Sequence, residues 1–186
     1  MTRGSVVSKL RVAPQAEAGP AASFEELYAT YAAFTWRALR HLGLDPTSVD
    51  DAVQEVWVVV HRRLCEFEGR AGFRTWLFGI AVNVARNHRR RERRHPPSEE
   101  LPATLVQPET DPQRRDDARD AFALVQRYLE TLDDQRREVF ACALLEGMSA
   151  SETAAATGLT VESAQNRVRA LRRSFRTWLS RQRRQG

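Results

Sequence analysis

Residues 96–115, PPSEELPATLVQPETDPQRR, carry five prolines: Pro96, Pro97, Pro102, Pro108 and Pro112. Each proline fixes its own φ, lacks a backbone N–H and biases the preceding residue away from the helical region. At this density neither a helix nor a paired strand is expected to run through, which predicts an extended, flexible connector between two parts. The length of 186 residues fits one domain or two small ones, so the prolines decide for two. The predicted division is a mobile arm over 1–22, a first domain over 23–95, the connector over 96–115 and a second domain over 116–186. A hydrophobic content of 42% lets each small domain bury a modest core, provided that it packs well.

Both domains read as helical, so the predicted fold class is all-α. Ser23 followed by Glu26 makes a helix-start box. Phe24, Leu27, Tyr28, Tyr31, Ala38, Leu39 and Leu42 then mark one face, and Gly43 ends the helix. After a turn at Asp45-Pro46, a second helix is predicted from Thr47 or Ser48 to about Phe67. The run from Val56 to Val60 would suit a strand, but Ala52 or Val53, Val56, Val60, Leu64 and Phe67 keep helical spacing on both sides of it. Val58 and Val59 fall off that stripe beside Asp50, Asp51, Gln54 and Glu55. Acid at a helix start answers the macrodipole; beside spare apolar surface it also fits a protein-docking patch. Residues 66–72 form a loop with Gly69 and Gly72. It is either a turn or a place where backbone approaches a nucleotide, with Phe67, Phe73 and Trp76 as core or as a stacking wall.

The helix predicted over 73–94 has two unlike faces. Phe73, Trp76, Leu77, Ile80, Ala81 and Val84 recur at buried spacing, while Asn83, Arg86, Asn87, Arg90 and Arg94 form an opposite stripe. Arg89, Arg90 and Arg91 thicken the charge at its end. Two readings stand: a solvated face, or a row of guanidinium and amide groups suited to phosphate and base edges.

In the second domain, Ala118, Ala121, Phe122, Val125, Leu129 and Leu132 mark a first helix. Asp133 caps a second helix that reaches Gly147, and Ser149 with Glu152 opens a short third one. Gly158 and Leu159 then turn into a long helix from about Val161. Ala164, Val168, Leu171 and Phe175 face inward, while Glu162, Gln165, Asn166, Arg169 and Arg173 face outward. Short helix, glycine turn and helix with a basic outer face is a helix-turn-helix pattern, against the alternative of a packed hairpin that touches no DNA.

The net charge of +5 and pI near 10.0 favour an anionic partner, and all but Lys9 of the basic charge is arginine. A GC-rich genome gives the same bias, so where the arginines fall matters more than how many there are. No apolar run spans a bilayer, and the N-terminus lacks the apolar core of a signal peptide, which predicts a cytoplasmic protein without membrane insertion. Cys65 and Cys142 are isolated and read as two buried thiols in a reducing compartment. His41, His61, His88 and His95 are scattered, and none is assigned a catalytic role. No carboxylate cluster, metal-ligand spacing or phosphate-binding glycine loop stands out, so no catalytic residue, metal or cofactor is predicted.

Together these segments resemble the extracytoplasmic-function (ECF) group of the sigma-70 family of bacterial RNA polymerase sigma factors. The likeness rests on Phe24-Glu25-Glu26-Leu27-Tyr28 with residues 51–57, on Phe73-Arg74-Thr75-Trp76-Leu77 with Ile80, Ala81 and Asn83, and on Glu146-Gly147-Met148-Ser149 with residues 166–169. It implies that Asp51, Gln54, Glu55 and Val58 meet the β′ clamp helices of core polymerase, and that the second domain meets the β flap. It further implies that Phe67, Arg70, Arg74, Trp76, Asn83, Arg86 and Arg90 contact the −10 element, with a flipped base held by the loop over 66–72. Ser163, Gln165, Asn166, Arg167, Arg169 and Arg173 would read the −35 element in the major groove. Asn87 and Ala170 depart from the family pattern, where an acid and an arginine are common. The family also implies an anti-sigma protein that holds the chain inactive, with an anchor at the inner membrane face where that partner is membrane-bound.

Two weak DNA readers on one tether gain specificity only when held together at the right spacing. Melting then needs no nucleotide hydrolysis, because capture of an extruded base offsets the cost of unstacking. The rival reading is a stand-alone helix-turn-helix regulator that binds palindromic DNA as a dimer, which would have no use for the patch around Asp51 and Val58.

Overall fold

The computed structural model describes residues 23–94 and 112–185, with side chains described over 23–94 and 120–184. The predicted arm, most of the connector and His95 lie outside them. Every regular element among the described residues is helical. Helix α1 (Phe24–His41) starts at the predicted box: Ser23 Oγ accepts from the Glu26 N–H at 3.2 Å, and Glu26 Oε2 accepts from the Ser23 N–H at 2.9 Å. It ends at Gly43, whose φ of +90° suits glycine alone. Helix α2 (Val49–Arg63) is organised by Asp45, whose Oδ1 accepts from the N–H of Thr47 at 2.8 Å and of Ser48 at 3.1 Å. Partial burial works against the Asp45 charge, but hydrogen bonds from the Ser48 and Thr47 hydroxyls and amides outweigh it and hold the carboxyl well below its usual range. The last turn expected of α2 tightens into a 3₁₀ turn over Leu64–Glu66. Helix α3 (Phe73–Glu92) runs between α1 and α2. Tyr31, Phe34, Leu39, Val56, Val60, Phe73, Leu77 and Phe78 fill this first core. Each such side chain contributes about 1.5–3 kcal/mol when fully buried.

Helix α4 (Pro112–Glu130) begins inside the stretch assigned to the connector. Proline is acceptable at the first helical position, where its missing N–H would have no partner in any case, so Pro112 opens a helix rather than blocking one. Helix α5 (Asp134–Phe140) is capped by Asp133, whose Oδ1 accepts from the Arg136 N–H at 2.8 Å, and it widens into a π turn over Ala141–Leu145. Helix α6 (Ala150–Thr157) opens on the Ser149–Glu152 box, Gly158 turns with φ of +74°, and α7 (Val161–Gln185) follows. Tyr128, Phe140 and Phe175 meet ring to ring at the centre of this second core, with centroids 4.8–5.2 Å apart.

The two helical units are packed against each other. Ala141, Cys142, Met148 and Ala156 of the second belong to the same buried cluster as the first unit's core. Helix α6 lies along a third side of α3, where a Cβ built on Gly79 would sit 3.6 Å from the Ala156 carbonyl oxygen. Two inward assignments and one outward assignment change. Tyr28 is 46% exposed and lays its ring edge-on against Trp57 of α2, with the ring centroids 5.0 Å apart. Cys65 is exposed on the 3₁₀ turn, whose tighter winding carries it away from the core, while Cys142 is buried; both are free thiols. Arg89, which reads as part of an outer charge run, is buried at 5% exposure.

Candidate nucleic-acid interface

The basic side of α3 is split by its environment. Asn83, Asn87 and Arg90 are exposed. Arg86 instead makes a two-pronged bridge to Glu138: its Nε donates to Oε1 at 2.8 Å and its Nη2 donates to Oε2 at 2.6 Å. Those bonds raise the Arg86 pKa further above its usual value, against a smaller cost of burial. Arg89 donates to the same carboxylate at 3.3 Å and to the carbonyl of Leu42, and its Nε lies 3.4 Å from Asp134. Burial lowers the Arg89 pKa despite these neighbouring acids.

At the other end of α3, Arg74 donates from Nη2 to Glu146 Oε2 at 2.8 Å and to the Glu146 carbonyl at 2.9 Å. Its guanidinium carbon also lies 4.7 Å from the centre of the Phe34 ring. His41 Nδ1 is 3.0 Å from Glu146 Oε1. Burial alone would raise the Glu146 carboxyl; the His41 hydrogen bond and the charges of His41, Arg37 and Arg74 hold it below its ordinary value. Thr75 donates to Glu152 at 3.3 Å between these two anchor points.

The aromatic wall expected beside the 66–72 loop forms. Phe67 is half-buried, with ring centroids 5.6 Å from Phe73 and 5.2 Å from Trp76. Phe73 is core, while Phe67 and Trp76 keep an open side. Gly69 takes φ of +71° with open space around it. Arg70 is exposed and pairs only with its neighbour Glu68 among the contacts of the loop.

On α2, Asp51, Gln54 and Val58 are exposed at helical spacing on one side, Val58 at 49%. Glu55 lies next to them but is engaged by α3, 3.1 Å from Arg91 Nη1 and 3.2 Å from His88 Nε2. On α7, Gln165, Asn166, Arg169 and Arg173 are exposed, as expected. Ser163 is half-buried, and its N–H donates to Thr160 Oγ1 at 3.2 Å in the first turn. Arg167 turns back to Gln135 on α5. The small Ala154 and Ala164 are buried on α6 and α7, letting the two helices of the turn motif approach closely.

The carboxylates Glu138 and Glu146 had no assigned role in the sequence. The available signal was two acids eight positions apart, flanking Val139, Phe140, Cys142, Ala143 and Leu144 on an otherwise apolar helix. Among the described residues no group of three or more His, Cys, Asp or Glu gathers to hold a metal ion, and no helix is long and apolar enough to cross a membrane.

The family model for sigma-70 region 2 matches residues 27–95, and that for sigma-70 region 4 matches residues 122–175. The chain is 32% identical to RNA polymerase sigma factor CnrH of Cupriavidus metallidurans over 84% of its own length and 86% of that protein. It is 30% identical to the ECF RNA polymerase sigma-E factor of Escherichia coli over 64% of this chain and 68% of that one. Among solved structures it is similar to CnrH in complex with the cytosolic domain of CnrY, with a TM-score of 0.62, 29% identity and coverage of 84% and 87%. In fold it is similar to the sigma factor RpoE in complex with the anti-sigma factor NepR from Bartonella quintana, with a TM-score of 0.66, 18% identity and coverage of 84% and 96%. Two helical units in this order, a helix-turn-helix in the second and relatives matched over most of their length lead to one conclusion: the chain belongs to the ECF group of the sigma-70 family of RNA polymerase sigma factors.

Proposed function

We propose that this sigma factor docks on core polymerase through the outer side of α2, reads the −35 element with α7, and captures the opened −10 element with α3 and the 66–72 loop. The observation that carries the reading is the joint presence of an exposed polar and basic α7 face and a basic, aromatic-flanked α3 in one chain. On α2, Asp51 and Gln54 beside the exposed Val58 offer polar anchors around an apolar contact, the composition suited to the β′ clamp helices. Glu55 is already bound by His88 and Arg91, so its part is to set the angle between α2 and α3.

On α7, Gln165, Asn166, Arg169 and Arg173 supply amides for base edges and guanidinium groups for guanine or phosphate. The second unit also carries the contact to the β flap. Phe67 and Trp76 would present aromatic edges to an unstacked base, with the exposed Arg70, Asn83 and Arg90 beside the strand, while Arg74 and Arg86 would exchange Glu146 and Glu138 for its phosphates. Melting is then driven by capture rather than by hydrolysis, and the chain acts as an initiation factor with no catalysis of its own. The complexes of CnrH with the cytosolic domain of CnrY and of RpoE with the anti-sigma factor NepR support an anti-sigma protein as a further partner, and the chain would meet it in the cytoplasm.

The test is initiation from a promoter fragment by core polymerase with and without the chain. Initiation at one site, lost when the −35 sequence is scrambled or when Arg169 and Arg173 are both changed to Ala, is the expected result. Sequence-specific binding by the chain alone, with no initiation on adding core, would replace this reading with the stand-alone regulator.

A further inference from the structure

Helix α7 runs on past the stretch given to the −35 element. The region 4 match ends at residue 175, but the helix continues to Gln185 and adds about 13 Å over 176–184. That extension is held against the body of the protein. The Trp178 ring stacks on Phe175 with centroids 6.2 Å apart and lies 5.4 Å from Tyr128, and Leu179 packs on the second core. From Ser163 to Gln185 the helix holds eight arginines and no acid. At about 100° per residue, Arg172, Arg173, Arg176, Arg183 and Arg184 all fall within about 60° of Arg169, on the side away from Leu171, Phe175 and Trp178.

All six of these arginines are exposed, and among the described residues none of them is in an ion pair. The basic groups of α3 differ, since Arg74, Arg86 and Arg89 are each matched by a carboxylate. The hydroxyls between the arginines are spent on the helix itself: Thr177 Oγ1 donates to the Arg173 carbonyl at 3.1 Å and Ser180 Oγ to the Arg176 carbonyl at 2.9 Å. Like charges three and four positions apart repel along a helix, so an unbroken row of them costs stability that a polyanion lying on it would offset. Continuity favours DNA as that polyanion, because the row starts among Gln165, Asn166 and Arg169 and keeps to their side of α7. A major groove is about 12 Å wide and a 25-residue helix about 37 Å long, so the last turns of α7 lie beyond the groove that its first turns enter. What they can meet there is sugar-phosphate backbone rather than base edges.

We propose that the C-terminal extension of α7 is a second DNA contact, in which Arg176, Arg183 and Arg184 grip the phosphate backbone flanking the −35 element whatever its sequence. The inference rests on the proposed function for the placement of α7 on −35 DNA. It divides one helix into two tasks: the first turns read bases, and the last turns supply affinity and fix the angle at which the helix lies on the duplex.

The test uses the full chain and the triple variant Arg176→Gln, Arg183→Gln, Arg184→Gln, with the matching Lys triple to restore charge without the fork. The first readout is the affinity for a random-sequence duplex across a series of salt concentrations, which needs no polymerase; the second is initiation with core polymerase on a promoter fragment. At about 0.9 per phosphate contact, the Gln triple should lower the slope of log affinity against log salt by about 2–3, and the Lys triple should restore most of it. Arg181→Gln, exposed but about 120° round the helix from Arg169, removes a charge off the row and should leave the slope as it is. An unchanged slope for a Gln triple with wild-type circular dichroism would overturn the proposal, as would a drop from Arg181→Gln as large per charge as that of the triple. An unchanged slope together with lost initiation would replace DNA by an acidic protein surface. A lowered slope in a chain that never initiates with core would keep the DNA contact and remove the polymerase reading.

Discussion

Glu146→Gln is the sharpest probe of what holds the two units together. The carboxylate is fully closed to solvent, with His41 at 3.0 Å and Arg74 at 2.8 Å, while the Arg74 side chain keeps only 15% exposure. Removing one member of a buried ion pair costs about 3–5 kcal/mol, because the other is left desolvated without its counter-charge. Glutamine keeps the shape and one acceptor, and Arg74 retains the Glu146 backbone carbonyl and the Phe34 ring. The expected loss therefore falls lower, at about 2–3 kcal/mol, the range of one or two charge-assisted hydrogen bonds. With a urea slope of about 2 kcal/mol per molar for a chain of this size, the midpoint should fall by about 1–1.5 M. The assay is urea unfolding followed by tryptophan fluorescence and circular dichroism, with Arg74→Met and the double variant completing a cycle. A coupling of about 1 kcal/mol or more between the two positions is expected. A Glu146→Gln loss below about 0.5 kcal/mol, with no coupling, would refute the claim that this pair binds the units, since it would match an exposed bridge.

The pH response follows from the same carboxylate. Glu146 is held below its ordinary value, so its stabilisation is complete above the unfolded-state carboxyl value near ~4.3 and is lost as pH falls through the lower folded-state value. Midpoint against pH should decline in acid more steeply for the wild type than for Glu146→Gln; parallel curves would contradict the assignment. Gly158→Ala has open space for its methyl group but φ of +74°, so it should cost about 1 kcal/mol through backbone strain and weaken duplex binding by tilting α7, measured by thermal melting and anisotropy. Arg173→Ala should lower the slope of log affinity against log salt by about 1 if the guanidinium meets a phosphate, and an unchanged slope would remove it from the backbone contacts.

Local signals were legible where physics is local. The boxes Ser23–Glu26 and Ser149–Glu152, the stops at Gly43 and Gly158, and the inward stripe of Ala164, Val168, Leu171 and Phe175 all stand as read. Pro112 was misread because proline blocks the interior of a helix yet opens its first turn. The seam between the units was not legible. Arg86 and Glu138 are 52 positions apart, and nothing periodic links a guanidinium on one helix to an acid on another. Arg89 reads as solvated beside Arg90 and Arg91, and it is enclosed by α5 on one side and the Leu42 carbonyl at the end of α1 on the other. The site was thus half visible: residue types and helix faces could be named, but not that Arg74 and Arg86 already have partners.

The most direct measurement of the central claim is promoter-directed initiation by core polymerase with the wild-type chain and with the Asp51→Ala, Gln54→Ala double variant. Both positions are exposed on α2 and carry no core packing, so the variant should fold with an unchanged melting temperature. The account predicts initiation with the wild type and a loss of about tenfold or more with the variant at limiting concentration, recovered in part by raising the concentration, as expected of weakened docking. Equal initiation by the two proteins would contradict the placement of the docking face, and no initiation by the wild type would contradict the account itself.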